Sequence, residues 1–143
     1  MNWHVDWAWS LPLIAINVVI HVFCLGVIIQ MAERTLAALK GRRGFFTMFA
    51  FVMSAIVTMV AVLHGLEASV WATAYWLLGA LPDYGSAMLY SLNAITSYGH
   101  DDLFLERRWQ LMGALEALNG MLLFGLSTAF LFHMIRRVWG STV

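Results

Sequence analysis

The stretch Ser91-Leu92-Asn93-Ala94-Ile95-Thr96-Ser97-Tyr98-Gly99-His100-Asp101-Asp102 is polar and carries a glycine, yet it lies between two long apolar runs. The residues leading into it, 84–94, read as an amphipathic helix of roughly 16 Å, about half the thickness of a bilayer's hydrocarbon core. Backbone without regular hydrogen bonding is tolerated at membrane depth only where protein buries it or where it lines a water-filled path. The segment therefore needs enclosure, and the remainder of the chain reads as the scaffold that supplies it.

Composition agrees with a membrane setting. Of 143 residues 62% are hydrophobic and 11% charged, against globular averages of roughly 45–50% and 25%. A single small domain cannot bury so much apolar surface, so lipid has to cover it. The formal net charge of zero argues against nucleic acid as a partner. Cys24 is the one cysteine, which rules out an intrachain disulfide. No basic n-region or small-residue cleavage site opens the chain, so the first membrane helix is the expected targeting signal.

Trp3, Trp7 and Trp9, with His4 and Asp6, suit a membrane–water interface. Residues 11–31 are long enough to cross about 30 Å of hydrocarbon. Their polar members Asn17, His21 and Cys24 fall on one helical stripe, which is expected to face protein. A basic loop follows with Arg34, Lys40, Arg42 and Arg43, broken by Gly41 and Gly44. Residues 45–81 form a second span, longer than a membrane needs, so part of it extends beyond the bilayer or tilts. Ser54, Thr58, Ala61, Gly65, Ala68 and Ala72 give it a small-residue face for close packing, and Trp71, Tyr75 and Trp76 mark its far interface. Leu81-Pro82-Asp83 ends it, and Asp83 is placed to cap the next helix. A third span, 109–135, ends in Arg136-Arg137.

If three helices cross and the half-helix re-enters, Arg34, Lys40, Arg42, Arg43, Arg136 and Arg137 share one side, and Arg107 and Arg108 take the other. The positive-inside bias then puts the N-terminus outside and the C-terminus in the cytoplasm.

Laid out in this way, the chain resembles the potassium-channel pore domain, most of all the small three-helix bacterial members of that pore-loop superfamily. The resemblance is carried by Leu81-Pro82-Asp83, Ala87 to Leu92, Thr96 to Asp102, and Trp109 to Phe132, with His64, Glu67 and Trp71 in fitting places. It implies an all-α membrane protein of the bacterial inner membrane, with three transmembrane helices. A re-entrant pore helix (83–95) and filter loop (96–102) would lie between the second helix and the inner helix (109–137). Residues 1–44 would form an interfacial segment, first helix and cytoplasmic loop, and residues 45–143 the pore domain. One pore loop cannot encircle an ion, so the resemblance implies a homotetramer in the lipid bilayer. Each half-helix would point its carbonyl end, near Ala94 and Ile95, at the cavity, where its dipole favours a cation.

The filter departs from the family's Thr-Val-Gly-Tyr-Gly-Asp. Aligning Asp102 with the family aspartate puts Ser97, Tyr98, Gly99, His100 and Asp101 in the five filter positions. A rival register sets Ser97-Tyr98-Gly99-His100 on Gly-Tyr-Gly-Asp and needs a two-residue insertion before Trp109. Either way one glycine is lost, at a backbone cost of about 1–2 kcal/mol where a left-handed residue is required. Thr96 to Asp102 remain the expected filter, with candidate cation sites at Ser97, Gly99, Asp101 and Asp102. Acidic rings of Asp101 and Asp102 at the mouth would gather cations and hold divalents. The permeant cation is potassium, with sodium or calcium as alternatives, and no cofactor is implied. His100 at the mouth gives the expectation of acid-sensitive conduction; a current indifferent to pH would remove it.

Several polar residues lie inside the spans. His64 and Glu67 share a helix face and either help bind a metal or bond the pore helix from behind, with Asn93 or Glu116 as partners. Glu116 is either a buried structural carboxylate or part of the permeation path. Asn119, Gly120 and Gly125 are expected to line the inner helix's pore face or to act as its hinge, the alternative for each being helix packing. Arg107 and Arg108 pair with Glu106 or with an aspartate of the mouth.

Three functional classes follow. The first is a tetrameric cation channel, potassium-selective, non-selective or divalent-permeable. The alternative is a channel-fold protein that binds ions but conducts poorly, as a sensor or scaffold, and flux through purified protein separates the two. An enzyme or alternating-access transporter is not expected. The sequence holds no nucleophile–base set, zinc spacing or phosphate loop, and no inverted repeat.

Overall fold

A computed structural model describes residues 3–39, 43–99 and 102–139, the last two by backbone only. Among them are four helices and no strand: α1 (Trp3–Leu39), α2 (Phe45–Leu77), α3 (Tyr84–Ile95) and α4 (Gln110–Trp139). α1, α2 and α4 are long and apolar enough to cross a membrane, as an integral membrane protein requires; α3, with 12 residues, is not.

The bundle encloses polar side chains and leaves many large apolar ones on its outside. On α1, Asp6, Ser10, Asn17 and His21 are fully buried, whereas Val19 and Phe23 are about as open as surface residues can be, 68% and 71% exposed. Lipid is as apolar as leucine, so it rewards no helix for hiding Val19, while it penalises every polar group left facing it. The buried stripe is the one expected from Asn17 and His21, and it runs on to Asp6. Residues 3–10 therefore continue the helix of α1.

Contacts order the helices. Leu13 and Ile14 of α1 pack near Trp71, Tyr75, Trp109 and Met112 at one end of the bundle. Leu25, Ile28, Ala32 and Leu36 meet Phe49, Ile56, Val60 and Met134 toward the other. α1 and α4 thus run parallel and pack on each other, with α2 antiparallel on the other side of α1. Arg137 of α4 contacts Glu33 of α1 at that second end.

α2 stops at Leu77, before the Leu81-Pro82 expected to end it. Gly79 takes a left-handed φ of 63°, and the N–H groups of Gly79 and Ala80 turn back to the carbonyls of Trp76 and Tyr75. That paired closure satisfies the last carbonyls of the helix. Trp71 and Tyr75 are fully buried and only Trp76 is open, at 51%. Two of the three expected interface markers are therefore core. Trp109 is buried too, in the cluster that joins α2, α3 and α4. Of the small-residue face, Ala68 and Ala72 are buried while Ser54, Thr58 and Ala61 stay exposed within the chain.

α3 begins as expected: the Asp83 carboxylate accepts from the Ser86 N–H at 2.9 Å and from its hydroxyl at 2.7 Å. These bonds, the backbone one first, hold the Asp83 carboxyl below its ordinary value of 3.8. A carboxyl lowered in the folded state stabilises above its unfolded pKa, and that contribution vanishes as pH falls through the folded value. Amide protection in the first turn of α3 is expected to be intact at neutral pH and to weaken below about pH 4. Asp83→Ala should show the weakened protection, and so the faster exchange, at every pH, and identical exchange profiles for the two proteins would refute the cap.

Candidate functional site: the half-helix loop and a buried histidine–carboxylate ring

α3 descends from the α2–α4 end of the bundle along α4. Tyr90 sits at the level of Gly113, where a Cβ would meet the ring carbon of Tyr90 at 3.2 Å. Two turns deeper, Ile95 lies against Gly120: a Cβ at Gly120 would stand 2.7 Å from the carbonyl carbon of Ile95 and 2.8 Å from its Cα. Only a hydrogen fits between the two backbones. Ile95 also packs with Ala68 and Leu123, so its side chain locks α3 to α2 and α4 together. The chain then turns back, and Leu105 returns to the Tyr90–Gly113 level.

The turn at the foot of α3 is closed by backbone. Thr96, Ser97 and Tyr98 donate to the carbonyls of Leu92, Ala94 and Asn93, and Thr96 Oγ1 adds a 2.6 Å bond to Leu92. Ser97 adopts φ 56°, the left-handed position that glycine takes at the end of α2. A non-glycine residue there costs about 1–2 kcal/mol. Gly99 has φ 99°, as a glycine can without strain. The carbonyl end of α3 is therefore not open in the way expected: Ala94 is used by the cap and Ile95 is covered by Gly120. Tyr98, 83% exposed, and Asp102, also exposed, stand free of the bundle. His100 and Asp101, like Lys40 and Arg42 of the basic loop, lie outside the described residues.

The inner-helix expectations divide. Asn119 is fully buried and Gly120 is covered by Ile95 of α3. Gly125 has open space around it and stands on the exposed face of α4. Glu116 is buried and accepts from the Tyr75 hydroxyl at 2.8 Å. Arg108 pairs with Glu106 at 2.7 Å on the surface.

The largest departure concerns His64 and Glu67. They do not meet Asn93 or Glu116. Glu67 lies at the centre of a ring of side chains from three helices. Its Oε1 is 2.7 Å from His21 Nδ1 and its Oε2 is 3.0 Å from His64 Nδ1. The Nε2 atoms of both imidazoles converge on Ser127 Oγ, at 3.2 Å from His21 and 3.1 Å from His64. Asn17 Nδ2 donates to the Glu67 backbone carbonyl at 3.3 Å. His64 stacks on Phe124 with 4.3 Å between centroids.

His21, Glu67 and Ser127 were not linked by sequence reasoning. His21 carried one usable signal, its place on the buried polar stripe of α1; Ser127 carried none. No protein-family model, curated protein or solved structure matches this chain.

Proposed function

We propose that the protein is a cation channel of pore-loop type, with α3 as a re-entrant half-helix and residues 96–102 at its mouth. The observation that carries this reading is the path of the chain between α2 and α4. α3 penetrates the bundle to Gly120 and the loop returns to Leu105 by the same end, an excursion of about 10 Å along α4. A membrane protein has little reason to carry a 12-residue helix and a loop of exposed, non-helical backbone to this depth unless they border a hydrated path.

Two further features fit. α4 leaves Leu118, Met121, Leu122, Phe124 and Leu126 exposed within the chain, which accords with neighbouring copies around an axis. Arg34, Arg43, Arg136 and Arg137 gather at the bundle end opposite the loop, so the positive-inside bias would put the loop outside and that end in the cytoplasm of a bacterial inner membrane. The capped carbonyls of Asn93 and Ala94 and the strained Ser97 support a mouth that does not hold potassium in the family's way, with the Asp102 carboxylates as its charged element.

The test is the reversal potential of purified protein in planar bilayers, under potassium/sodium and then potassium/calcium gradients. A cation current is expected, reversing near zero in potassium/sodium and shifting toward calcium in the second gradient. Asp102→Asn should reduce it at low salt and matter less at high salt, where the charge is screened. Reversal at the potassium equilibrium potential would instead assign selectivity to the backbone of residues 96–99. Folded protein without current would overturn the channel reading in favour of an ion-binding sensor or scaffold.

A further inference from the structure

We propose that His21, His64 and Glu67 bind one divalent transition-metal ion of the zinc class at the junction of α1, α2 and α4. The three residues each offer a ligand atom, and these atoms lie within 4.8 Å of one another. Two imidazole nitrogens and a carboxylate oxygen are a ligand set that zinc uses, with a fourth position left for water or hydroxide. Tetrahedral bonds of about 2.0–2.1 Å place ligand atoms about 3.3 Å apart, close to the 2.7 and 3.0 Å separations already present.

The hydrogen-bond count of the ring points the same way. Four contacts join Glu67, His21, Ser127 and His64, but two neutral imidazoles and one hydroxyl supply only three protons. One contact must fail. His64 Nδ1 and Glu67 Oε2 are buried and lack a properly aligned hydrogen bond although they are 3.0 Å apart. An ion bound by both Nδ1 atoms and the carboxylate removes the shortfall. Each imidazole then keeps its proton on Nε2, and both donate to Ser127 Oγ, which can accept two. Such outer hydrogen bonds orient metal-bound histidines generally.

Charge argues likewise. Among the described residues no lysine or arginine is buried, so an ionised Glu67 has no fixed cation near it inside the bundle. Either an added proton or a bound cation has to balance it. A proton would close the ring through a His64–Glu67 hydrogen bond, and that is the contact whose alignment is missing. His64 is the least enclosed of the three: it retains 8% exposure and its ring stacks on Phe124, itself 39% exposed. The site requires nothing of the conduction reading.

The experiment uses the full chain without a histidine tag, purified in detergent, stripped with a chelator and titrated with Zn²⁺ and Co²⁺. One ion per chain is expected, with the visible Co²⁺ absorption of a four-coordinate N/O site and a Tm that rises with added ion. His21→Gln and His64→Gln should each weaken uptake by more than about 100-fold, and Ser127→Ala by about 10–100-fold. His133→Gln, exposed on α4, should bind as the wild type does. If a histidine variant does not fold, the isosteric Glu67→Gln takes its place. Failure of the wild type to take up either ion overturns the proposal and leaves the proton-balanced ring. Uptake at wild-type affinity in the His21, His64 or Glu67 variants overturns it as well.

Discussion

Gly120→Ala is expected to destabilise the folded chain by at least the 1–3 kcal/mol or so typical of overpacking. The new methyl would run into the carbonyl oxygen, carbonyl carbon and Cα of Ile95. All three are backbone atoms, and the foot of α3 cannot retreat because Ile95 is 1% exposed and held between α2 and α4. A flexible side chain would yield at small cost; a capped helix end has no such freedom. Gly125→Ala is the control. Nothing in the chain lies within 4 Å of its Cβ position, and alanine in a helix gains up to about 1 kcal/mol over glycine. Thermal unfolding in detergent, followed by circular dichroism, should therefore lower Tm for Gly120→Ala and leave Gly125→Ala unchanged or raised. Equal Tm values would mean that α4 does not cross α3 at Ile95. The same pair bears on gating: a hinge glycine would tolerate alanine structurally while altering currents, which Gly125 is free to do and Gly120 is not.

Glu67→Ala should be the most damaging single substitution in the bundle of spans. Breaking one side of a buried, charge-bearing pair costs about 3–5 kcal/mol, whereas an interhelical hydrogen bond inside a membrane averages about 0.6 kcal/mol. The ring belongs to the first case. One carboxylate serves two imidazoles from different helices, and its removal strands both with no other partner on that side. Tyr75→Phe, which removes the donor to Glu116, belongs to the second case because a single bond is lost. In metal-free protein the Tm loss should therefore be several times larger for Glu67→Ala than for Tyr75→Phe. Comparable losses would show that the ring adds no more than an ordinary bond.

Much of the fold was legible because a bilayer leaves few options. Three apolar runs of sufficient length, a proline–aspartate break and a run too short to cross lead directly to α1, α2, α3 and α4. The Asp83 cap was readable from one residue and its position. Helix termini were less so. α2 ends at Leu77 because Gly79 can take a left-handed turn, and Pro82 arrives too late to decide the matter. The tryptophans misled for a related reason. Indole suits an interface, but it also fills a gap between helices, and Trp71 and Trp109 do the latter.

By itself the sequence determined which segments are long and apolar, which face of α1 is polar, and where a half-length helix begins. Those properties depend on composition and on a period of 3.6 residues, both local. Only the tertiary structure decided that Gly120 is a crossing point and that Asn119 is buried within the chain. It alone brought His21, His64, Glu67 and Ser127 into one ring. Members of that ring stand 46 and 106 residues apart along the chain, and no local rule relates them. Their meeting depends on the rotation of each helix about its axis. That rotation is set by packing between helices, of which the contact of α3 with α4 at Gly120 is one.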